Sequence, residues 1–452
     1  MVLSCPGMPP PPTRDACLVL DRADALAPLR AQFALDAADA ASLIYLDGNS
    51  LGPLPRSTPA RVRQVVEDEW GSGLIGSWNS VGSAGVGPDG AGWITLARRI
   101  ADRIAPLVGA HAGEVVVADS TSVNLHKVLS AALQIAVADD GARRVVLSER
   151  GNFPTDLYVA DTVARQHGCE LRLVDAADVV AAIDARTAVV LLTHVDYRTG
   201  RMHDMAATTR AAHAAGALTV WDLAHSAGAV PVDLHGDGSS DSAADFAVGC
   251  GYKYLNGGPG APAFLWAHPR HTRRMDAEGW RQPLAGWFGH AAPFAFETAY
   301  RPAPGIDRFL CGTPPILSLA ALEGGVDTVR AADPFGGLAA IRRKSIALTG
   351  LFIALVDVRC AGRGVSVVTP REPEQRGSQV SLAHRDDAHA VMQALIARGV
   401  VGDFRAPDIL RFGFTPLYTR FADVWDAVDR LVQVLESGEW REPRFQARAA
   451  VT

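Results

Sequence analysis

Several protein classes are excluded by what this chain lacks. Its six cysteines are Cys5, Cys17, Cys169, Cys250, Cys311 and Cys360, and they are scattered through 452 residues. None forms a CxxC pair or a metal-ligand spacing. Neither a disulfide framework nor a zinc ribbon is expected, and the pattern suits a reducing cytoplasm. No apolar run approaches the roughly 20 residues that a membrane span requires. There is no excess of positive charge: 43 Lys and Arg stand against 49 Asp and Glu, a net charge of −6. That removes the basic field needed to hold nucleic acid or an anionic membrane surface. No GxxxxGK[ST] phosphate loop occurs. The opening MVLSCPGMPPPPTRD has neither a basic n-region nor an apolar core, so it does not read as a signal peptide. Its proline run predicts a disordered tail over residues 1–20.

The remaining composition, 48 % hydrophobic and 20 % charged, is that of a globular protein. The length is too great for one ordinary core and predicts about two domains. WITLARRIADRIAPLVG sets Trp93, Leu96, Ala97, Ile100, Ile104 and Leu107 on one helical face. Short apolar runs then recur at 114–118, 144–148, 171–174, 188–193, 217–222, 245–250 and 262–266, mostly with helix-length segments between them. Continuous apolar strands alternating with helices predict an α/β domain with a seven-stranded, mostly parallel sheet covered on both faces. Past about residue 330 the pattern changes. Helical stretches at 336–356, 386–398 and 421–437 alternate with strand-like segments at 365–369, 378–382 and 408–413, which predicts a smaller α+β domain. The Pro- and Gly-rich RPAPGIDRFLCGTPP lies near the boundary. The expected division is an N-terminal arm and large domain over 21–330 and a small domain over 331–445.

Ligands of a parallel sheet gather at the carboxyl ends of its strands. Lys253 follows the run DFAVGC, within GYKYLNGGPG. A generic lysine there would reach out to solvent, whereas in a desolvated pocket it becomes an amine nucleophile. Asp222 ends ALTVWD, one strand–crossover–strand unit earlier, with His225 three residues on. Such an acid can cap the next helix or hold a pyridinium N–H. DSTSVNLH puts Thr121 and Ser122 at a helix start, where an ordinary N-cap and a phosphate cradle look alike. Taken together, cradle, acid and lysine at successive strand ends fit a pyridoxal phosphate (PLP) site, with no metal.

The chain also resembles the kynureninase family, PLP-dependent hydrolases of the type I aminotransferase fold. The resemblance rests on YLDGNSLGPLP, EWGSGLIGSWN, GNFPTD, WDLAHSAG, GYKYLNGGPG, GWFGH, GTPPIL and ILRFGFTPLY, and it covers nearly the whole chain. It implies that Lys253 anchors PLP covalently and shuttles the substrate Cα proton. Tyr252 would touch the cofactor phosphate and donate a proton. Asp222 would pair with the ring nitrogen, with His225 nearby. Thr121 and Ser122 would hold phosphate. Phe153, followed by Pro154 and Thr155, would stack on the ring, with Asp156 and Thr193 as further cofactor contacts. Trp287 and Thr313 would come from the second subunit of a homodimer. Arg411 would clamp the substrate α-carboxylate, a task suited to a bidentate guanidinium. Asn49, Ser50 and Trp78 would line the substrate pocket. On composition alone Trp78, Trp287 and Phe153 would be core residues, Arg411 a solvent-facing strand residue and Asn49 part of a turn.

The implied reaction is hydrolysis of L-kynurenine to anthranilate and L-alanine, in tryptophan catabolism and NAD biosynthesis. Trp78 and Thr313 resemble the bacterial type, which implies a preference for unsubstituted kynurenine over its 3-hydroxy form. A Gly-rich insert at about 81–91 departs from the family pattern. The nearest rival is a cysteine desulfurase or selenocysteine lyase of the same fold. That chemistry requires a cysteine on a mobile loop, and Cys360 is the closest candidate. A non-enzymatic binding protein would have lost Lys253, Asp222 or Arg411, and all three are present.

Overall fold

The computed structural model describes residues 12–35, 43–79 and 92–447. The Gly-rich insert lies outside them. In chain order the strands are β1 (Ile44–Tyr45), β2 (Val115–Val117), β3 (Val145–Glu149), β4 (Glu170–Val174), β5 (Thr187–Thr193), β6 (Leu218–Asp222), β7 (Phe246–Gly249) and β8 (Phe264–Ala267). Five more follow: β9 (Val365–Val367), β10 (Gln379–His384), β11 (Val400–Val401), β12 (Asp403–Arg405) and β13 (Ile409–Gly413).

The large sheet has seven strands in the order β2-β8-β7-β6-β5-β3-β4. All run parallel except β8, which opposes both β2 and β7. Strand alternation divides its side chains between two cores. Leu147, Val190, Leu192, Trp221, Phe264 and Trp266 enter one. Val146, Val189, Leu191, Val220, Phe246 and Val248 enter the other, against the helix Thr121–Asp139. Burying each such side chain contributes about 1.5–3 kcal/mol. This two-sided burial explains why the strands read as unbroken apolar runs.

The small domain is a four-stranded antiparallel sheet, β12-β13-β10-β9. The helices Gly337–Arg359, Ala388–Ala397 and Phe421–Ser437 pack on it around Phe352, Leu382, Phe412 and Val428.

The expected disordered tail over 1–20 needs correction from Thr13 onward. Thr13 accepts a hydrogen bond from the Ala16 amide and caps the helix Arg14–Ala23. Arg14 forms a two-point pair with Asp426, and Cys17 is fully buried in the small-domain core. Asp21 in turn accepts the Phe421 and Ala422 amides at the start of the last long helix. The arm then supplies β1, which pairs in parallel with β11. The N-terminal segment is therefore bound into the C-terminal domain. Of the two GxGxxG spacings, that at 85–90 lies outside the described residues, and that from Gly71 to Gly76 follows a helical turn rather than a strand, so it is no dinucleotide loop.

Candidate active site

The carboxyl ends of β3, β5, β6 and β7 lie side by side in the sheet. Register does much of the positioning: Thr193 of β5 lies opposite Asp222 of β6, and Asp222 lies opposite Val248 of β7. The chain then turns through GYKYLNGG. Glycine is required there by close approach. A Cβ on Gly257 would sit 2.7 Å from the Gly251 oxygen, and one on Gly52 would sit 2.6 Å from the Lys253 oxygen. The Gly52 amide donates to the Tyr252 carbonyl at 2.8 Å, so the LDGNSLG loop docks onto the lysine loop.

Lys253 Nζ lies 2.9 Å from His225 Nε2. Burial lowers the lysine pKa, and the nearby Asp222 charge only partly restores it. Burial and the Lys253 charge hold His225 well below its ordinary value, so its ring is neutral. Its Nδ1 is buried and makes no hydrogen bond. Burial also raises the Tyr252 phenol above its ordinary value, so it keeps its proton at neutral pH.

Asp222 and Asp156 are 4 % and 3 % exposed, close enough for the charge on one to act on the other. Burial raises both above the usual carboxylate range. The charge on Asp222 raises Asp156 further, while Lys253 pulls Asp222 back down. The proton is therefore favoured on Asp156, and the charge on Asp222, which faces Lys253. The Ala224 amide donates to Asp222 Oδ1 at 2.8 Å. Thr193 Oγ1 lies 3.3 Å from Asp156 Oδ2 and donates to Asn152 Oδ1 at 2.5 Å. Phe153 precedes the helix Pro154–Gln166, so Pro154 and Thr155 form its first turn and Asp156 points inward. The Phe153 ring is 40 % exposed and packs edge-on against Tyr197 at 5.2 Å.

Thr121 and Ser122 begin the helix Thr121–Asp139. Ser120 is the cap and accepts the Val123 amide at 3.4 Å. The first-turn amides of Thr121 and Ser122 have no carbonyl partner within the helix, the usual condition of a helix start that binds an anion.

Arg411 is 1 % exposed, not on the solvent face of its strand. It stands opposite Asp403 in the β12–β13 register. Its Nε donates to Asp403 Oδ1 at 2.7 Å, one terminal nitrogen to the Tyr197 carbonyl at 2.7 Å and the other to Ser50 Oγ at 2.6 Å. Ser50 also donates to Asp403 at 2.7 Å, and Arg405 donates to the same carboxylate at 2.5 Å. Asn49 is buried beside this group and donates to Gln379 Oε1 at 3.4 Å. Asp47 completes the cluster. Burial, then the Asp403 charge, push it up to about 7 against the pull of Arg411.

Trp78, Trp287 and Thr313 form a separate group. Trp287 Nε1 donates to Thr313 Oγ1 at 3.3 Å, and the Trp78 and Trp287 rings are 6.4 Å apart. Their described ring contacts are with Trp93, Phe288 and Phe294, not with the Lys253 or Arg411 groups.

Sequence reasoning passed over Asp47, Asn152, Tyr197, Gln379, Asp403 and Arg405. Asn152 could have been found, since GNFPTD directly follows a strand. Asp403 and Arg405 lie on a three-residue strand with no apolar periodicity to mark it.

The chemistry of this donor set fits PLP. Two neighbouring buried carboxyls form an anionic seat for a pyridinium N–H. The exposed Phe153 face can cover a ring, the Thr121 and Ser122 amides can take a phosphate, and Lys253 supplies an amine. Cys360 is 1 % exposed, in the core of the small domain, which removes it as a mobile sulfur acceptor.

The kynureninase C-terminal domain model matches residues 341–431. A kynureninase of Burkholderia pseudomallei is 56 % identical over 443 residues, 97 % of this chain and all of the relative. A kynureninase of Pseudomonas fluorescens is 54 % identical over the same span and coverage. A solved cysteine desulfurase from Thermococcus onnurineus superposes with a TM-score of 0.71 at 19 % identity, covering 91 % of this chain and 98 % of its own. A cystine C–S lyase with glycine covalently linked to its PLP gives a TM-score of 0.70 at 16 % identity, over 89 % and 98 %. At that identity these two establish the fold, the type I fold of PLP enzymes. With near-complete coverage at more than half identity, the chain belongs to the kynureninase family.

Proposed function

We propose that this chain is a PLP-dependent hydrolase that cleaves the Cβ–Cγ bond of L-kynurenine with one water, giving anthranilate and L-alanine. The buried carboxyls of Asp156 and Asp222, gathered at the strand ends with the Lys253–His225 pair, are the observation that carries this reading. When bound, PLP supplies the electron sink for charge developing on the amino-acid portion of the substrate. Asp222 would hold the ring N–H, with Asp156 beside it and Thr193 hydrogen-bonded to Asp156. Thr121, Ser122 and Tyr252 would take the phosphate, and Phe153 would cover the ring.

Lys253 anchors the cofactor and moves the proton at the substrate Cα, a task favoured by a pKa lowered by burial. Tyr252, protonated at neutral pH, gives a proton to Cβ as alanine forms. Arg411 receives the α-carboxylate. In the resting site Asp403 and Ser50 occupy that guanidinium, so substrate exchanges one carboxylate for another. Asn49 and Ser50 line the same end.

The aromatic end of the pocket is completed by a second copy of the chain. Trp287 and Thr313 stand apart from Lys253 within one chain, among exposed apolar side chains: Ile75 and Phe296 are 80 % and 86 % exposed. A cluster of that kind supports an interface. We place the protein in the cytoplasm, in tryptophan catabolism leading toward NAD. No helix among the described residues is long and apolar enough to cross a membrane. Trp78 leaves little polar room for a ring hydroxyl, so unsubstituted kynurenine is the preferred substrate. Parallel assays of kynurenine and 3-hydroxykynurenine test this. A higher kcat/KM for the hydroxylated compound would overturn the preference, and turnover of neither would overturn the function.

A further inference from the structure

At the opposite, amino end of β2 from the phosphate cradle, His111, Glu114 and His235 each turn a ligand atom toward one point. The three atoms lie within 4.8 Å of one another. From this geometry we infer a binding site for a divalent transition-metal cation of the zinc type, separate from the PLP site.

The site is built from two loops already fixed to each other. The Leu234 amide donates to the Val108 carbonyl at 3.1 Å. Gly109, at φ +66°, packs so closely that a Cβ there would lie 2.5 Å from Asp233 Cα. His111 and Glu114 close a tight turn, with the Glu114 amide donating to the His111 carbonyl at 3.2 Å. The rings of His111 and His235 stack at 4.5 Å, so both imidazoles present their edges side by side.

The carboxylate is held in a fixed orientation. Glu114 Oε2 accepts from the His111 amide at 3.0 Å, from Trp266 Nε1 at 3.3 Å and from His235 Nε2 at 2.7 Å. All three described bonds fall on that oxygen and leave Oε1 for a cation. Such outer-shell bonds orient metal ligands in general.

Two imidazoles and one carboxylate are the donor set of zinc, nickel and copper, not of calcium or magnesium. A zinc ion sits about 2.1 Å from each ligand. Tetrahedral ligands at that distance lie about 3.4 Å apart, so atoms within 4.8 Å of one another must draw in by up to about 1.4 Å, a movement open to the exposed His111 side chain. On binding, the cation takes the place of the proton between His235 Nε2 and Glu114, and the neutral His235 ring carries its proton on Nδ1 instead. Three protein ligands leave a coordination position for water. His268 stands beside His235, but its Nδ1 accepts the Arg270 amide at 3.0 Å, so its Nε2 carries the proton and is no ligand. A bound cation would tie the 109–114 loop to the 233–235 loop.

The test uses the PLP-loaded enzyme, stripped with chelator and titrated calorimetrically with zinc chloride, in parallel with His111→Ala and His235→Gln. The glutamine keeps a donor for Glu114 and so guards the fold; PLP absorbance and turnover confirm both variants intact. One zinc per chain in the wild type is expected, with binding weakened about tenfold or more in each variant, as loss of a ligand requires. Copper(II) in place of zinc should show two imidazole nitrogens by electron paramagnetic resonance, and one in His111→Ala. No stoichiometric zinc in the wild type, or equal binding in both variants, overturns the site.

Discussion

If Asp222 and Asp156 share one proton, replacing them singly and together must give non-additive losses. In Asp222→Asn the primary anion is gone. The neighbouring Asp156, freed from the Asp222 charge that raises its pKa, can then ionise and supply a poorly placed substitute. A unit charge pair about 4 Å apart at an effective dielectric of about 20 is worth about 4 kcal/mol. If the substitute recovers half of this, Asp222→Asn costs about 2 kcal/mol of transition-state stabilisation, or about thirtyfold in kcat/KM. Asp156→Asn removes one carboxyl hydrogen bond that an amide largely replaces, so it costs about 1 kcal/mol. The double variant has no anion and loses about 5 kcal/mol. The coupling is then about 2 kcal/mol, within the range for residues in contact. The assay is anthranilate release at saturating PLP for the four proteins, with PLP affinity measured alongside. A cycle additive to within about 0.5 kcal/mol would refute the shared-proton pair.

Three further outcomes follow from the same structure. Arg411→Lys loses the fork that meets Asp403 and the incoming carboxylate, so kcat/KM for kynurenine should fall by about 2–3 kcal/mol, or about 30- to 160-fold; a change under threefold would refute the clamp. Asp47, pushed up to about 7, keeps its proton in the folded chain while the unfolded chain loses it from about pH 4 upward. It therefore removes stability as pH rises from about 4 to 7, fully so above 7, and Asp47→Asn should gain roughly 2–4 kcal/mol at pH 8 but little at pH 4, read from urea midpoints. An equal gain at both pH values would contradict this. Asp245 at the mouth of β7 is 0 % exposed; burial would raise its pKa, but hydrogen bonds from His213 and His271 and the charge of Arg270 hold it below the usual range. Its contribution is complete above about pH 4 and is lost as pH falls below that, and Asp245→Asn should cost about 3–5 kcal/mol at pH 7; an unchanged melting temperature would contradict the network.

The strands of the large sheet were legible because both their faces are buried, which writes them as unbroken apolar runs. The strand-end residues Thr193, Asp222 and Lys253 were legible for the same reason: a polar group closing such a run stands out. The anionic partner of Arg411 was hidden. Asp403 sits on a three-residue strand and meets Arg411 only through antiparallel register, which composition does not display. The N-terminal helix was hidden by the prolines before it, and its stability comes from Asp426 and Phe421 some 400 residues away. The preference of the proton for Asp156 over Asp222 was likewise out of reach, since it arises from burial and proximity across two crossovers. Trp78, Trp287 and Thr313 were singled out by resemblance to a family. Spacing alone would have left them as core.

The central claim is that a site organised around Lys253 cleaves kynurenine. It is tested most directly by incubating the purified, PLP-loaded chain with L-kynurenine, beside Lys253→Ala, and quantifying both products. The account predicts anthranilate and alanine in equal amounts from the wild type and none above background from the variant. Absence of anthranilate from the wild type, or equal release by Lys253→Ala, would contradict it.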